Sequence, residues 1–111
     1  MDIIETIKKQ IEDNPIILYM KGSPNQPQCG FSARTSQAVM ACGERFAFVD
    51  VLSNPDVRAN LPKVGNWPTF PQLWVEGELI GGCDIVCEMH ENGELQTLLK
   101  EVAAKHPAPQ Q

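Results

Sequence analysis

Four cysteines, Cys29, Cys42, Cys83 and Cys87, are the residues of this chain best equipped for chemistry. A cysteine attacks a disulfide or binds a metal as the thiolate, so what matters is which of the four sits where ionisation is favoured. Cys29 opens Cys29-Gly30-Phe31-Ser32, directly after the turn-rich Gly22-Ser23-Pro24-Asn25-Gln26-Pro27-Gln28, where a helix should begin. Unpaired backbone N–H groups and the positive end of the helix dipole stabilise a thiolate there, and Lys21 adds positive charge. The plain alternative is a free core cysteine, but the Pro-rich loop before it and the small Gly30 after it expose the sulfur. Ser32 occupies the position where a dithiol Cys-x-x-Cys motif carries its resolving cysteine, so no rapid local disulfide can form. On a straight helix Cys42 would lie about 20 Å from Cys29, beyond disulfide reach, and reads as a packing residue. Cys83, Cys87 and His90 could share a helix face as metal ligands, yet three candidates make a poor zinc site. Cys87 reads more simply as a small hydrophobe, and His90 and His106 as solvent-facing.

The elements that must position Cys29 follow from spacing. Ile3, Ile4, Ile7 and Ile11 predict an amphipathic helix over 2–13, stopped by Asn14-Pro15. Ile16-Ile17-Leu18-Tyr19-Met20 is an almost wholly apolar run, as expected of a strand covered on both faces. Residues 22–28 read as a loop. Phe31, Thr35, Ala38 and Cys42 define the buried side of the helix that starts at Cys29, with Gly43 ending it. Phe46 to Val51 is a second strand, parallel to the first across a βαβ unit. Pro55 to Leu61 should be a short helix stopped by Pro62. Pro71 to Val75 and Glu78 to Gly81 flank Glu76-Gly77 as an antiparallel hairpin. Asp84 can cap a helix running through Met89; Asn92-Gly93 breaks it, and Leu95, Leu98, Leu99 and Val102 stripe the last helix. Trp67 before Pro68 should brace the following loop, and Trp74 on the hairpin, if exposed, is a candidate partner surface. The sum is an α/β fold of thioredoxin-like type, a mixed four-stranded sheet with helices on both faces. One domain, 1–105, is expected, followed by a flexible tail over 106–111.

Composition narrows the function. The chain has 111 residues, with 14 acidic and 9 basic side chains and a net charge of −5. That balance argues against nucleic acid or anionic lipid as partner. No apolar run suits a membrane helix, and Met1-Asp2-Ile3-Ile4-Glu5 does not have the basic-then-apolar layout of a secretory signal, so a cytoplasmic location is expected. In that compartment the cysteines are better read as thiols, metal ligands or redox groups than as structural disulfides.

Four blocks in order carry a family resemblance: Tyr19-Met20-Lys21-Gly22, the loop leading to Cys29-Gly30-Phe31-Ser32, Trp67-Pro68-Thr69-Phe70-Pro71-Gln72-Leu73, and Gly81-Gly82-Cys83-Asp84. From Ile3 to about Lys105 the chain resembles the single-domain monothiol glutaredoxins of the Cys-Gly-Phe-Ser type. The resemblance implies a glutathione-binding protein that holds a bridging [2Fe-2S] cluster as a homodimer and serves in cluster storage and transfer. Cys29 would be the cluster ligand, Lys21 and Arg58 would meet glutathione carboxylates, and Phe70, before a cis-proline at Pro71, would pair its backbone with the cysteinyl unit. Cys83 and Asp84 would receive the γ-glutamyl end. Independently of the resemblance, Gly81-Gly82 permits close backbone approach, and a helix beginning near Asp84 presents N–H groups to a carboxylate. Surface roles for Lys21 and Arg58 and an ordinary cap at Asp84 are the bland readings.

A [2Fe-2S] cluster usually takes four thiolates, and one chain offers a single well-placed sulfur. Two Cys29 side chains and two glutathione thiolates complete the set about a two-fold axis. The competing reading is a thiol-disulfide oxidoreductase acting on glutathione mixed disulfides, with Cys29 as nucleophile; a variant of it has Cys83 forming a slow disulfide with Cys29. The resemblance further implies BolA-type proteins and apo iron-sulfur proteins as partners.

Overall fold

The central strand, β1 (Ile16–Met20), explains the layering around it. All five of its side chains are buried. Because successive strand residues face opposite ways, Ile16, Leu18 and Met20 enter one core while Ile17 and Tyr19 enter the other. A strand can be apolar on both faces only if helices cover both, and they do. The computed structural model describes residues 2–107. Residues 108–111, most of the expected tail, lie outside the described residues.

On the first face pack α2 (Gly30–Ala41), α4 (Cys83–Glu91) and α5 (Glu94–Lys105), through Ala38, Val39, Val86, Leu95, Leu99 and Val102. On the second lie α1 (Ile3–Asp13) and α3 (Pro55–Gly65), contributing Ile7, Ile11, Val57 and Leu61. The sheet order is β4-β1-β5-β6, with β4 (Ala47–Asp50) parallel to β1, and β5 (Gln72–Val75) antiparallel to both β1 and β6 (Glu78–Gly81). Glu76 and Gly77 turn the β5–β6 hairpin with φ of 50° and 82°, the two positive values a tight primed turn requires. This is a thioredoxin-like α/β fold, as the spacing predicts.

Local structure departs from the spacing in three places. Residues 22–28 are not featureless: β2 (Gly22–Ser23) pairs antiparallel with β3 (Gln26–Pro27), a small ribbon that delivers the chain to Cys29. Gly22 has φ of 90°, and a Cβ there would collide with Gln26 O and come within 2.8 Å of Gln28 N. Helix α3 does not stop at Pro62 but continues to Gly65. Proline removes only the N–H side of the ladder, so the Pro62 carbonyl still accepts from Asn66 N–H, while buried Val57 and Leu61 hold the helix to the sheet. Finally, Phe31 is 56% exposed and lies off the buried face of α2. The face keeps the expected Thr35, Ala38 and Cys42 and adds Ser32, Ser36 and Val39, of which the two serines are hidden from hydropathy by their hydroxyls. Thr35 Oγ1 donates to Phe31 O at 2.8 Å and Ser36 Oγ to Ala33 O at 3.1 Å, so these hydroxyls enter the interior with partners.

Candidate functional site

Cys29 is the N-cap of α2, with extended backbone (φ −154°, ψ 153°). Its sulfur is half-buried and accepts from Ser32 N–H at 3.3 Å, and Ser32 Oγ lies 3.5 Å from it. The same Ser32 oxygen accepts from Lys21 N–H at 3.0 Å, which ties the end of β1 to the first turn of α2. Partial burial opposes ionisation of Cys29. The Ser32 hydroxyl, the Ser32 and Phe31 N–H groups and the Lys21 charge together outweigh it, so the thiol pKa falls below the ordinary cysteine value. Ser32, read from sequence only as a missing second cysteine, is thus a hydrogen-bond partner of the sulfur; the signal was its place three residues after a helix cap, where the N–H turns back to the capping side chain.

Beside this sulfur runs a groove of about 700 Å³, lined by Lys21, Phe31, Arg58, the loop Trp67–Pro71 and the start of α4, with Gly82, Cys83, Asp84 and Ile85. Its walls come from five separate stretches of chain. Lys21 directly follows β1, Arg58 lies on α3, Phe70 precedes Pro71 through a cis peptide, and Cys83 and Asp84 lie in the first turn of α4. Phe70 lies outside the sheet pairing, which begins at Gln72. Neither Lys21 nor Arg58 has an ion-pair partner among the described residues. The candidates Lys21, Arg58, Phe70, Cys83 and Asp84 therefore line one groove, whereas Cys29 is not among its lining residues and adjoins it through Phe31 and through Lys21, whose charge acts on the sulfur.

A model of the family described as Glutaredoxin matches residues 16–80. The chain is 70% identical over 103 residues to glutaredoxin 4 of Escherichia coli strain K12, which covers 93% of this chain and 90% of that protein. The chain belongs to the glutaredoxin family. Reduced poplar apo GrxS14 in solution has a similar fold, with a TM-score of 0.77 and 37% identity, covering 92% of this chain and 94% of that one. A buckwheat glutaredoxin-glutathione complex gives a TM-score of 0.77 at 25% identity, covering 91% and 90%. With Ser32 in place of a second cysteine, this is a monothiol glutaredoxin of the Cys-Gly-Phe-Ser type.

Other features of this glutaredoxin correct the expectations from sequence. Asp84 does not cap α4. Gly82 is the N-cap, Cys83 is the first helical residue, and the Asp84 carboxylate is exposed in the first turn beside the groove. Glycine is required just before this turn, since Gly81 has φ of 147° and a Cβ there would meet Ile85 Cδ1 at 2.7 Å. Trp74 is 6% exposed, and its Nε1 donates to Gln72 Oε1 at 3.1 Å, so it belongs to the core and offers no partner surface. Trp67 lines the groove, and its indole N–H is buried without a hydrogen-bond partner among the described residues. Among those residues no three His, Cys, Asp or Glu side chains converge on a metal position, so Cys83, Cys87 and His90 do not form a three-ligand centre. No described helix is long and apolar enough to cross a membrane.

Proposed function

We propose that this glutaredoxin binds glutathione in the groove and, as a homodimer, carries a [2Fe-2S] cluster between two Cys29 sulfurs and two glutathione thiolates for delivery to apo iron-sulfur proteins. The observation that carries the reading is a single half-exposed thiol of lowered pKa beside a groove with two unpaired cations. The Lys21 ammonium and the Arg58 guanidinium suit the two carboxylates of the tripeptide. The N–H groups of the first turn of α4 suit the γ-glutamyl carboxylate, and the Asp84 carboxylate can accept from the adjacent ammonium. The Phe70 backbone, free of the sheet, is placed to pair with the cysteinyl unit as an added strand would.

The donor set fits a shared cluster and not a private one. One chain supplies a single sulfur of lowered pKa at the site, a [2Fe-2S] centre usually takes four, and no three-ligand group exists among the described residues. Two copies and two tripeptides meet the need with a self-complementary contact. Because half of the sulfur ligands then belong to a diffusible peptide, the cluster is cargo that can be handed on. Phe31 and Ile85, both exposed at the groove mouth, give that contact an apolar rim. A BolA-type protein in place of the second copy fits the same reading.

Anaerobic incubation with iron, sulfide and glutathione tests it. A coloured dimer that loses its colour when glutathione is removed is expected. A colourless monomer with brisk turnover of glutathione mixed disulfides would instead establish the oxidoreductase reading, for which the lowered Cys29 pKa is equally suited.

A further inference from the structure

The groove reading uses the backbone at the start of α4 and leaves the sulfurs of Cys83 and Cys87 without a task. They lie 3.9 Å apart. We propose that Cys83 and Cys87 form a two-thiolate site for a soft monovalent cation of the copper(I) class, opening on the groove and distinct from Cys29.

Geometry separates this from a disulfide. Residues four apart on a helix hold their Cβ atoms about 5–6 Å apart, whereas a disulfide needs roughly 3.5–4.5 Å, so a direct bond would require unwinding the first turn of α4. A single ion bridging the two sulfurs needs no such movement. Two sulfurs each about 2.3 Å from one ion stand roughly 3.8 Å apart at a tetrahedral angle and 4.6 Å apart when linear, so the observed spacing lies near the bent end and a linear ion needs the two side chains to open by about 0.7 Å.

Donor number selects the ion. No third His, Cys, Asp or Glu joins the pair among the described residues, which leaves zinc two protein ligands short of its tetrahedral set. Soft thiolates favour copper(I), which is content with few ligands. Cys83 is buried but lines the groove, and Cys87 is the more exposed of the pair. Binding forms two S–Cu bonds and releases two thiol protons to water, with no change of oxidation state. Burial first, then the Cys83 sulfur and Glu91 on α4, push the Cys87 thiol pKa up, and only Arg34 on α2 lowers it, so the ion itself must displace both thiol protons.

The test uses the full chain, reduced and without glutathione, titrated under nitrogen with copper(I) against a chromogenic chelator. The unsubstituted protein and Cys29→Ser should each take up one copper(I), and Cys87→Val should bind it on the order of a hundredfold more weakly. Copper-loaded protein should shield Cys83 and Cys87, but not Cys29, from iodoacetamide, as located by peptide mass. This mapping needs no substitution and decides the matter if Cys87→Val fails to fold. Undiminished affinity in Cys87→Val, or shielding at Cys29 with Cys83 and Cys87 alkylated, overturns the proposal. Neither result bears on cluster binding at Cys29, which the iron and sulfide experiment reads separately.

Discussion

A single sulfur and the hydroxyl beside it dominate the chemistry at the scale of residues. Ser32 → Ala removes one of the groups that outweigh the burial of Cys29, so the thiol pKa should rise. The sign is fixed by the charged form: less stabilisation of the thiolate means a smaller thiolate fraction at neutral pH. The rate of iodoacetamide alkylation at Cys29, followed against pH, should shift to higher pH in the variant; a coincident profile would show that the backbone N–H groups and Lys21 suffice. Cys29→Ser should abolish cluster binding and leave the circular dichroism spectrum intact, because the side chain is half-exposed and makes little of the core. Colour retained in that variant would remove Cys29 as a ligand. Cys29 was legible in the sequence because a cap position is a local property, whereas the sequence showed Ser32 only as the absence of a second cysteine. The burial of Ser32 and Ser36 was not legible, since these side chains enter the interior only because their hydroxyls find backbone partners, which hydropathy does not count.

Elements hold the site through a few tethers. Asp50, at the end of β4, accepts from Gly22 N–H and Leu52 N–H, both at 2.9 Å, and from the Ser53 hydroxyl, also at 2.9 Å, so one carboxylate links the edge strand to the ribbon before Cys29. The Gly22 bond first, offset by partial burial and aided by Ser53 and Leu52, lowers its pKa from 3.8. For an acid whose folded pKa is depressed, the stabilisation is complete above the unfolded value and is lost as pH falls through the folded one. Asp50→Asn should therefore narrow the difference in urea midpoint between pH 7 and pH 3 relative to the unsubstituted protein; an unaltered difference would place the acid sensitivity elsewhere. Pro62 teaches the converse lesson about local signals. A proline inside a helix usually marks its end, yet here the helix continues because its buried face, not its hydrogen-bond ladder alone, keeps it in place.

The groove exists only in the whole molecule. Its cations come from the residue after β1 and from α3, its backbone acceptors from the loop before β5, and its N–H groups from α4. Lys21→Ala and Arg58→Ala should each weaken glutathione binding by about 1–3 kcal/mol, the loss of one charge-assisted contact, as read by calorimetry. Affinity unchanged in both would mean that the tripeptide does not use this groove. Leu61→Ala, at a fully buried position on α3, should cost about 2–5 kcal/mol of stability in urea melts through the cavity it leaves. By itself the sequence determined the order of elements, the covered central strand and the helix that begins at Cys29, since periodicity, turn residues and caps act over a few neighbouring residues. Tertiary structure alone decided that Trp74 is core, that Phe31 is exposed, and that Lys21, Arg58, Phe70 and Asp84 share one wall-lined space. Those outcomes depend on which surfaces distant segments cover, and burial is a property of the packed chain and not of any stretch of it.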